Sequence, residues 1–357
     1  ALEHALRGRS GGRSVEVNHR ARQVRVVGQR DPVAGANVTL TLDTSLQSRI
    51  EQVFGTQAGA CVVLHPETGE VLAMVSVPAF SPEALTTGEP DAIRRVLTAA
   101  QSPLLNRATV GYQPGSIVKL VTAAAALDAR LITPTTTIVC PGHLRIGDRT
   151  FHCWKRDGHG PLNLRGALLE SCNVYFMQVS RWLGHARLQQ ALQEIGFSHR
   201  TGWLLDEQPG ALPHGALTEG ELAILGIGQG EILVTALQGA LMASTFASWG
   251  MRPHPWVVSG VEGSSSTVNG ASHPSVRGSA SAGSMASSEP LPGVAAAHRG
   301  PQRGHRVSWS RETIAAVREG MEAVVSDATG TGHRAFSAFV RIAGKNGTPQ
   351  THVPGQS

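Results

Sequence analysis

Ser116 and Lys119 are the residues of this chain best placed to do chemistry. Pro114-Gly115 can close a turn just before them, and Ser116 then opens a helix that the alanine-rich stretch carries to Ala129. Lys119, three residues on, lies one turn along the same face, where an amine reaches a hydroxyl. The start of a helix also offers positive potential to a developing oxyanion. A serine beside an amine that can lose its proton is a nucleophile with its own base. Taken alone, the pair is better read as a capping serine beside a solvated lysine. Composition adds weight to the chemical reading. Of 31 Lys and Arg residues only three are lysine: Lys119, Lys155 and Lys345. Arginine stays protonated in proteins, whereas a desolvated lysine can act as a base.

Two further clusters follow along the chain. Ser171-Cys172-Asn173 falls at a break between helical stretches over 162–170 and 174–183, where a hydroxyl and an amide can both point into a cleft. The plainer alternative is a helix-capping pair. Lys345-Asn346-Gly347-Thr348 ends an apolar strand expected over 338–343. There Lys345 can bind a carboxylate, Thr348 can add donors, and Gly347 lets a ligand backbone come close. Asn-Gly is also a plain hairpin signal.

Three of the four cysteines, Cys140, Cys153 and Cys172, gather around this region with His159. A Cys3His set suits a closed tetrahedral zinc site. Its last ligand would lie inside Ser171-Cys172-Asn173. A Cys140–Cys153 disulfide with Cys172 as a buried free thiol is the alternative. The convergence of all four ligands on one region favours zinc. Cys61 lies in an apolar strand and reads as a small core residue.

The elements that must position these residues are mixed. Strands are expected over 23–27, 38–42, 60–64 and 71–77, the last two joined by a turn at His65-Pro66-Glu67-Thr68-Gly69. Asp43 can cap a helix over 45–54. Short strands fill 138–151, and helices are expected over 187–195, 235–248 and 311–326. Residues 260–304 are dense in Ser, Gly, Ala and Pro and cannot bury enough surface to offset their ordering entropy, so a loop is expected. The pattern is α+β, an antiparallel sheet flanked by helices, with an α-rich part.

The net charge is +5, yet the arginines are scattered and no basic run is interleaved with aromatics, which argues against nucleic-acid binding. No run of 18 apolar residues occurs. The chain opens without Met in a Gly/Arg-rich stretch lacking an apolar leader, and both ends read as cut.

The order Ser-x-x-Lys, Ser-x-Asn, Lys-x-Gly resembles the signature of penicillin-binding proteins and the related β-lactamases. Leu105-Asn106-Arg107-Ala108, the run from Gly226 to Glu231 and Gly320-Met321-Glu322-Ala323-Val324-Val325 resemble segments of class B penicillin-binding proteins. Cys153-Trp154-Lys155 with Gly158-His159-Gly160 looks most like the elongation-type members, penicillin-binding protein 2. The resemblance runs from about Gly11 to Gln350, apart from the Ser/Gly-rich insert.

It implies a penicillin-binding, β-lactamase-like transpeptidase fold over 37–357, stopping short of the family's last strands and helix. Residues 1–36 would be the remnant of an N-terminal pedestal. The resemblance implies a peptidoglycan D,D-transpeptidase that β-lactams acylate. Ser116 is the nucleophile and Lys119 its base, Ser171 relays a proton and Asn173 holds the substrate amide. Lys345 and Thr348 bind the terminal carboxylate, and Asn346 and Gly347 complete the substrate-binding segment. Penicillin-binding protein 2 homologues carry Asp or Cys at the positions of Cys140 and Cys153, with His and Cys following. No organic cofactor is implied, and a structural Zn2+ is. Expected partners are stem peptides, a membrane glycan polymerase and elongation-complex proteins. The expected location is the periplasmic face of the inner membrane, through an anchor outside these residues. The middle residue of the third motif is usually Thr or Ser, and here it is Asn346. That departure keeps a non-catalytic scaffold or sensor in view. A β-lactamase or D,D-carboxypeptidase is disfavoured, because no deacylating base is identifiable.

Overall fold

The computed structural model describes residues 2–262 and 302–348. The chain forms two compact units, Ala1–Thr41 with Trp256–Gly300, and Leu42–Pro255 with Pro301–Ser357.

In the first unit, strands Gly12–Val17 and Gln23–Arg30 form an antiparallel hairpin. One strand was expected there. Its partner becomes possible because Asn18 organises the turn: its Oδ1 accepts from the N–H groups of Arg20 and Arg22 at 2.9 and 3.1 Å. Strand Asn37–Leu40 pairs with Val258–Glu262. This pairing draws 256–262 towards the N-terminal residues, so the units divide at 41/42 rather than at 36/37. The first three residues of the expected 260–304 loop are thus strand. Most of the rest of that loop lies outside the described residues.

The second unit is built around the helix Val118–Asp128. Every residue from Val118 to Ala126 is buried, Lys119 included. The small side chains Ala123 to Ala126 let neighbours approach closely. Helices Leu164–Leu169, Asn173–Leu183, His185–Glu194 and Arg311–Ser326 pack around it. Beside this α-rich part stands the antiparallel hairpin Gly59–Leu64 and Val71–Val77, in register from Gly59 opposite Val77. Helix Thr44–Phe54 covers Val71–Val77, and helix Ala236–Ala247 covers Gly59–Leu64. Asp43 caps the first of these helices, accepting from the N–H groups of Ser45 and Leu46. The architecture is therefore α+β with antiparallel strands, as expected.

One expected element does not form. Residues 338–343 have strand-like composition but are not a strand, and Phe339 is 97 % exposed. Their alternation supplies one face, but no neighbouring strand among the described residues takes up the backbone N–H and C=O groups. Strand propensity measures fit to a partner more than an intrinsic backbone preference. Among the described residues, no helix is long and apolar enough to cross a membrane.

Candidate active site

Ser116 sits in a 3-10 turn, Gly115–Ile117, that feeds directly into Val118–Asp128. A loop clamps this turn: the Gly115 N–H donates to Gly228 O at 2.9 Å. Gly228 adopts φ +76°, and a Cβ there would lie 2.0 Å from Gly115 O, so only glycine fits. Thr122 Oγ1 ties the same loop to the helix, donating to Gly226 O at 2.8 Å.

Lys119 points inward and is 0 % exposed. Its amine does not bond Ser116 in this structure. It donates instead to Ser171 O at 2.7 Å, Asn173 Oδ1 at 2.7 Å and Ser171 Oγ at 3.3 Å. Its pKa is lowered to about 7, first by burial and then by the charge of Lys345, with Cys172 and Cys153 partly opposing both. An amine with that value is divided between base and cation near neutrality.

Ser171 owes its place to a helix end. Leu164–Leu169 stops in a Schellman motif: the Cys172 N–H donates to Ala167 O at 3.0 Å, and the Ser171 N–H to Leu168 O at 3.1 Å. The residue between these bonds must be left-handed, and Ser171 has φ +52°. Glycine is the usual occupant, and a serine there carries strain in order to present its hydroxyl. Ser171→Ala and Ser171→Gly both remove that hydroxyl. In denaturant unfolding the glycine variant is expected to be the more stable by about 1 kcal/mol, because only alanine keeps the left-handed penalty. Equal stabilities would show that the backbone is unstrained.

Lys345 arrives from the far end of the chain. Its Nζ donates to Ser171 Oγ at 2.8 Å and to Asn346 O at 2.9 Å, so both lysines converge on one hydroxyl. Burial lowers its pKa to about 8. It has no carboxylate partner among the described residues. Asn346 Oδ1 accepts from Thr331 Oγ1 at 2.9 Å and from Lys345 Nζ at 3.2 Å. With its oxygen occupied, the amide has its Nδ2 donors left to offer. Gly347 lies against the Ser116 turn, and a Cβ there would meet Pro114 O at 2.6 Å. Thr348 follows, exposed. The three motifs, distant in sequence, therefore share one site. Thr331 was not foreseen; Gly330-Thr331-Gly332 carries no local signal beyond a turn.

Cys140, Cys153, His159 and Cys172 also meet, with their ligand atoms all within 4.8 Å of one another. His159 Nδ1 is 3.4 Å from Cys140 Sγ and 3.6 Å from Cys153 Sγ, and the sulfurs of Cys153 and Cys172 are 4.0 Å apart. A tetrahedral zinc site has sulfurs about 3.8 Å apart and sulfur to nitrogen about 3.5 Å, so the donor set fits that ion. All four cysteines are free, and no disulfide joins Cys140 to Cys153. The contact between the two thiols lowers the pKa of Cys153, while that same contact and burial raise that of Cys172. Cys153 Sγ also accepts the N–H of Asn173 at 3.4 Å. The thiol cluster therefore shoulders the residue that holds Lys119.

Comparison with known proteins agrees with this geometry. Residues 59–357 match the penicillin binding protein transpeptidase domain. The peptidoglycan D,D-transpeptidase MrdA of Haemophilus influenzae is 33 % identical over 365 residues, covering 98 % of this chain and 52 % of that protein. The chain thus spans about half the length of that relative. Among solved structures, the complex of penicillin-binding protein 2 with MreC from Helicobacter pylori aligns with a TM-score of 0.77 at 26 % identity, over 97 % of this chain and 61 % of that one. A peptidoglycan synthase complex that coordinates polymerization and crosslinking aligns with a TM-score of 0.75 at 29 % identity, over 99 % and 60 %. A family domain matched over most of the chain, on a fold that brings its three motifs together, means that this chain belongs to the penicillin-binding protein transpeptidases.

Proposed function

We propose that this chain carries the D,D-transpeptidase activity of an elongation-type peptidoglycan synthase. The observation that carries the proposal is the convergence of Lys119 and Lys345 on Ser171 Oγ beside the Ser116 helix start. Ser116 Oγ attacks the carbonyl carbon of the penultimate D-Ala, and its proton passes to Lys119. The developing oxyanion faces the backbone N–H groups of Ser116 and Thr348. Ser171, bonded to both amines, delivers a proton to the departing D-Ala amine as the C–N bond breaks. The ester left on Ser116 is resolved by the amine of a second stem peptide, which forms the cross-link and frees the serine. Lys345 and the Nδ2 donors of Asn346 hold the terminal carboxylate, and Asn173 holds the substrate amide together with Lys119. A β-lactam enters the same path, with ring opening in place of D-Ala release.

Cys140, Cys153, His159 and Cys172 would hold a zinc ion whose role is structural, pinning Ser171-Cys172-Asn173 to the preceding strands. The Ala1–Thr41 unit is read as part of a pedestal. The neighbour solved with MreC and the peptidoglycan synthase complex that coordinates polymerization and crosslinking support an MreC-like protein and a glycan polymerase as partners of this chain.

Fluorescent penicillin tests the reading. The wild-type chain is expected to carry a stable covalent label, and Ser116→Ala to carry none. An unlabelled wild type would leave a non-catalytic scaffold. Rapid release of the label would point to a hydrolase.

A further inference from the structure

His159 reaches the thiol cluster through Nδ1. Its other nitrogen, Nε2, is buried and has no hydrogen-bond partner, on a side chain only 1 % exposed. An imidazole that offers the Nδ1 lone pair to a metal carries its proton on Nε2, and a buried N–H needs an acceptor. The acidic group beside it is Glu170, whose Oε2 stands 3.9 Å from Nε2. That separation is too long for a hydrogen bond. The Glu170 side chain is 28 % exposed, and its carboxylate forms no other ion pair among the described residues. Trp154 holds both residues: its indole N–H donates to Glu170 O at 3.0 Å, and its ring packs edge-on to His159 at 5.2 Å between centroids.

We propose that Glu170 is a positioning residue of the metal centre. Its carboxylate accepts the Nε2–H of His159 and fixes the tautomer in which Nδ1 faces the three sulfurs. Carboxylate partners of this kind orient a metal-binding histidine and raise its basicity. Glu170 immediately precedes Ser171, so one short segment holds the acceptor, the strained hydroxyl and the thiol of Cys172. The state of the metal centre is thereby coupled to the geometry of the acylation site. The inference rests on the zinc reading above.

The test is a zinc dissociation constant, measured on the full chain by competition with a chromophoric chelator. The wild type is expected to hold one zinc. Glu170→Ala is expected to weaken binding by about 10- to 100-fold, and Glu170→Gln, whose amide oxygen still accepts, by less. The zinc-free forms should unfold at the same temperature as zinc-free wild type. Wild-type affinity in Glu170→Ala overturns the role of Glu170 and leaves the zinc reading standing. A zinc-free Glu170→Ala chain destabilised as much as the loaded one overturns it too, since the residue then serves the fold alone. A wild-type chain that takes up no zinc overturns the metal reading and this inference together.

Discussion

Replacing Lys119 by methionine is expected to slow β-lactam acylation by about 10³-fold while the chain stays folded. Methionine is as unbranched and flexible as lysine and only one atom shorter, and it brings no charge into a site where burial already favours the neutral amine. Lys119→Arg should fail as completely, because a guanidinium stays protonated and cannot take the proton of Ser116. The pH dependence follows from the two lysines. Lys119, with a pKa of about 7, must be neutral to act as a base, so the acylation rate rises as pH climbs through about 7. Lys345, with a pKa of about 8, must be charged to hold a carboxylate, so the rate falls above about 8. The expected profile is a narrow bell whose two limbs belong to the coupled pair, since each amine bonds the same hydroxyl. Stopped-flow acylation of the free protein between pH 5 and 10 reads it directly. A flat profile, or an active Lys119→Met variant, would remove Lys119 from the role of base.

The order and spacing of the reactive residues were legible because motif chemistry is local. A hydroxyl and an amine one turn apart need only a helix, and the alanine-rich run after Ser116 supplies one. The scarcity of lysine sharpened that reading for Lys119 alone, because a base must give up its proton and arginine cannot, whereas Lys345 needs only its charge. What was not legible depends on partners distant in sequence. The stretch 338–343 has the composition of a strand, but pairing decides whether such residues form one. The left-handed backbone of Ser171 contradicts its local preference and exists because the Schellman bonds of the preceding helix impose it. Thr331 supports Asn346 through a contact between segments that no sequence pattern announces. The Asn346 departure itself reads differently in three dimensions. Its oxygen is taken up by Thr331 and Lys345, which leaves the Nδ2 hydrogens as the donors the longer amide has to offer. The Cys3His spacing picked out four side chains that the structure brings within 4.8 Å of one another, with no disulfide among them.

If Cys140, Cys153, His159 and Cys172 hold zinc as proposed, stripping it is expected to disable the site without touching a catalytic side chain. Cys172 lies between Ser171 and Asn173 and caps the helix Asn173–Leu183, with its sulfur accepting the Tyr175 N–H at 3.4 Å. Cys153 sulfur accepts the Asn173 N–H, and Asn173 Oδ1 holds Lys119. Loss of zinc would leave three buried thiols sharing protons in place of four metal bonds. Ser171 would then be free to leave the strained conformation that places its hydroxyl between the two amines. The chain as purified should carry one zinc. A strong chelator should remove it, lower the thermal midpoint and slow penicillin acylation by about 10- to 100-fold. Zinc should restore both, and magnesium should restore neither, because thiolate ligands disfavour a hard ion. Thiol titration of the denatured chain should count four free cysteines before and after stripping, since none is committed to a disulfide. Full acylation in a chain free of metal would mean that packing and the Schellman bonds alone hold Ser171 and Asn173 in place, and that the ligand set has no part in catalysis.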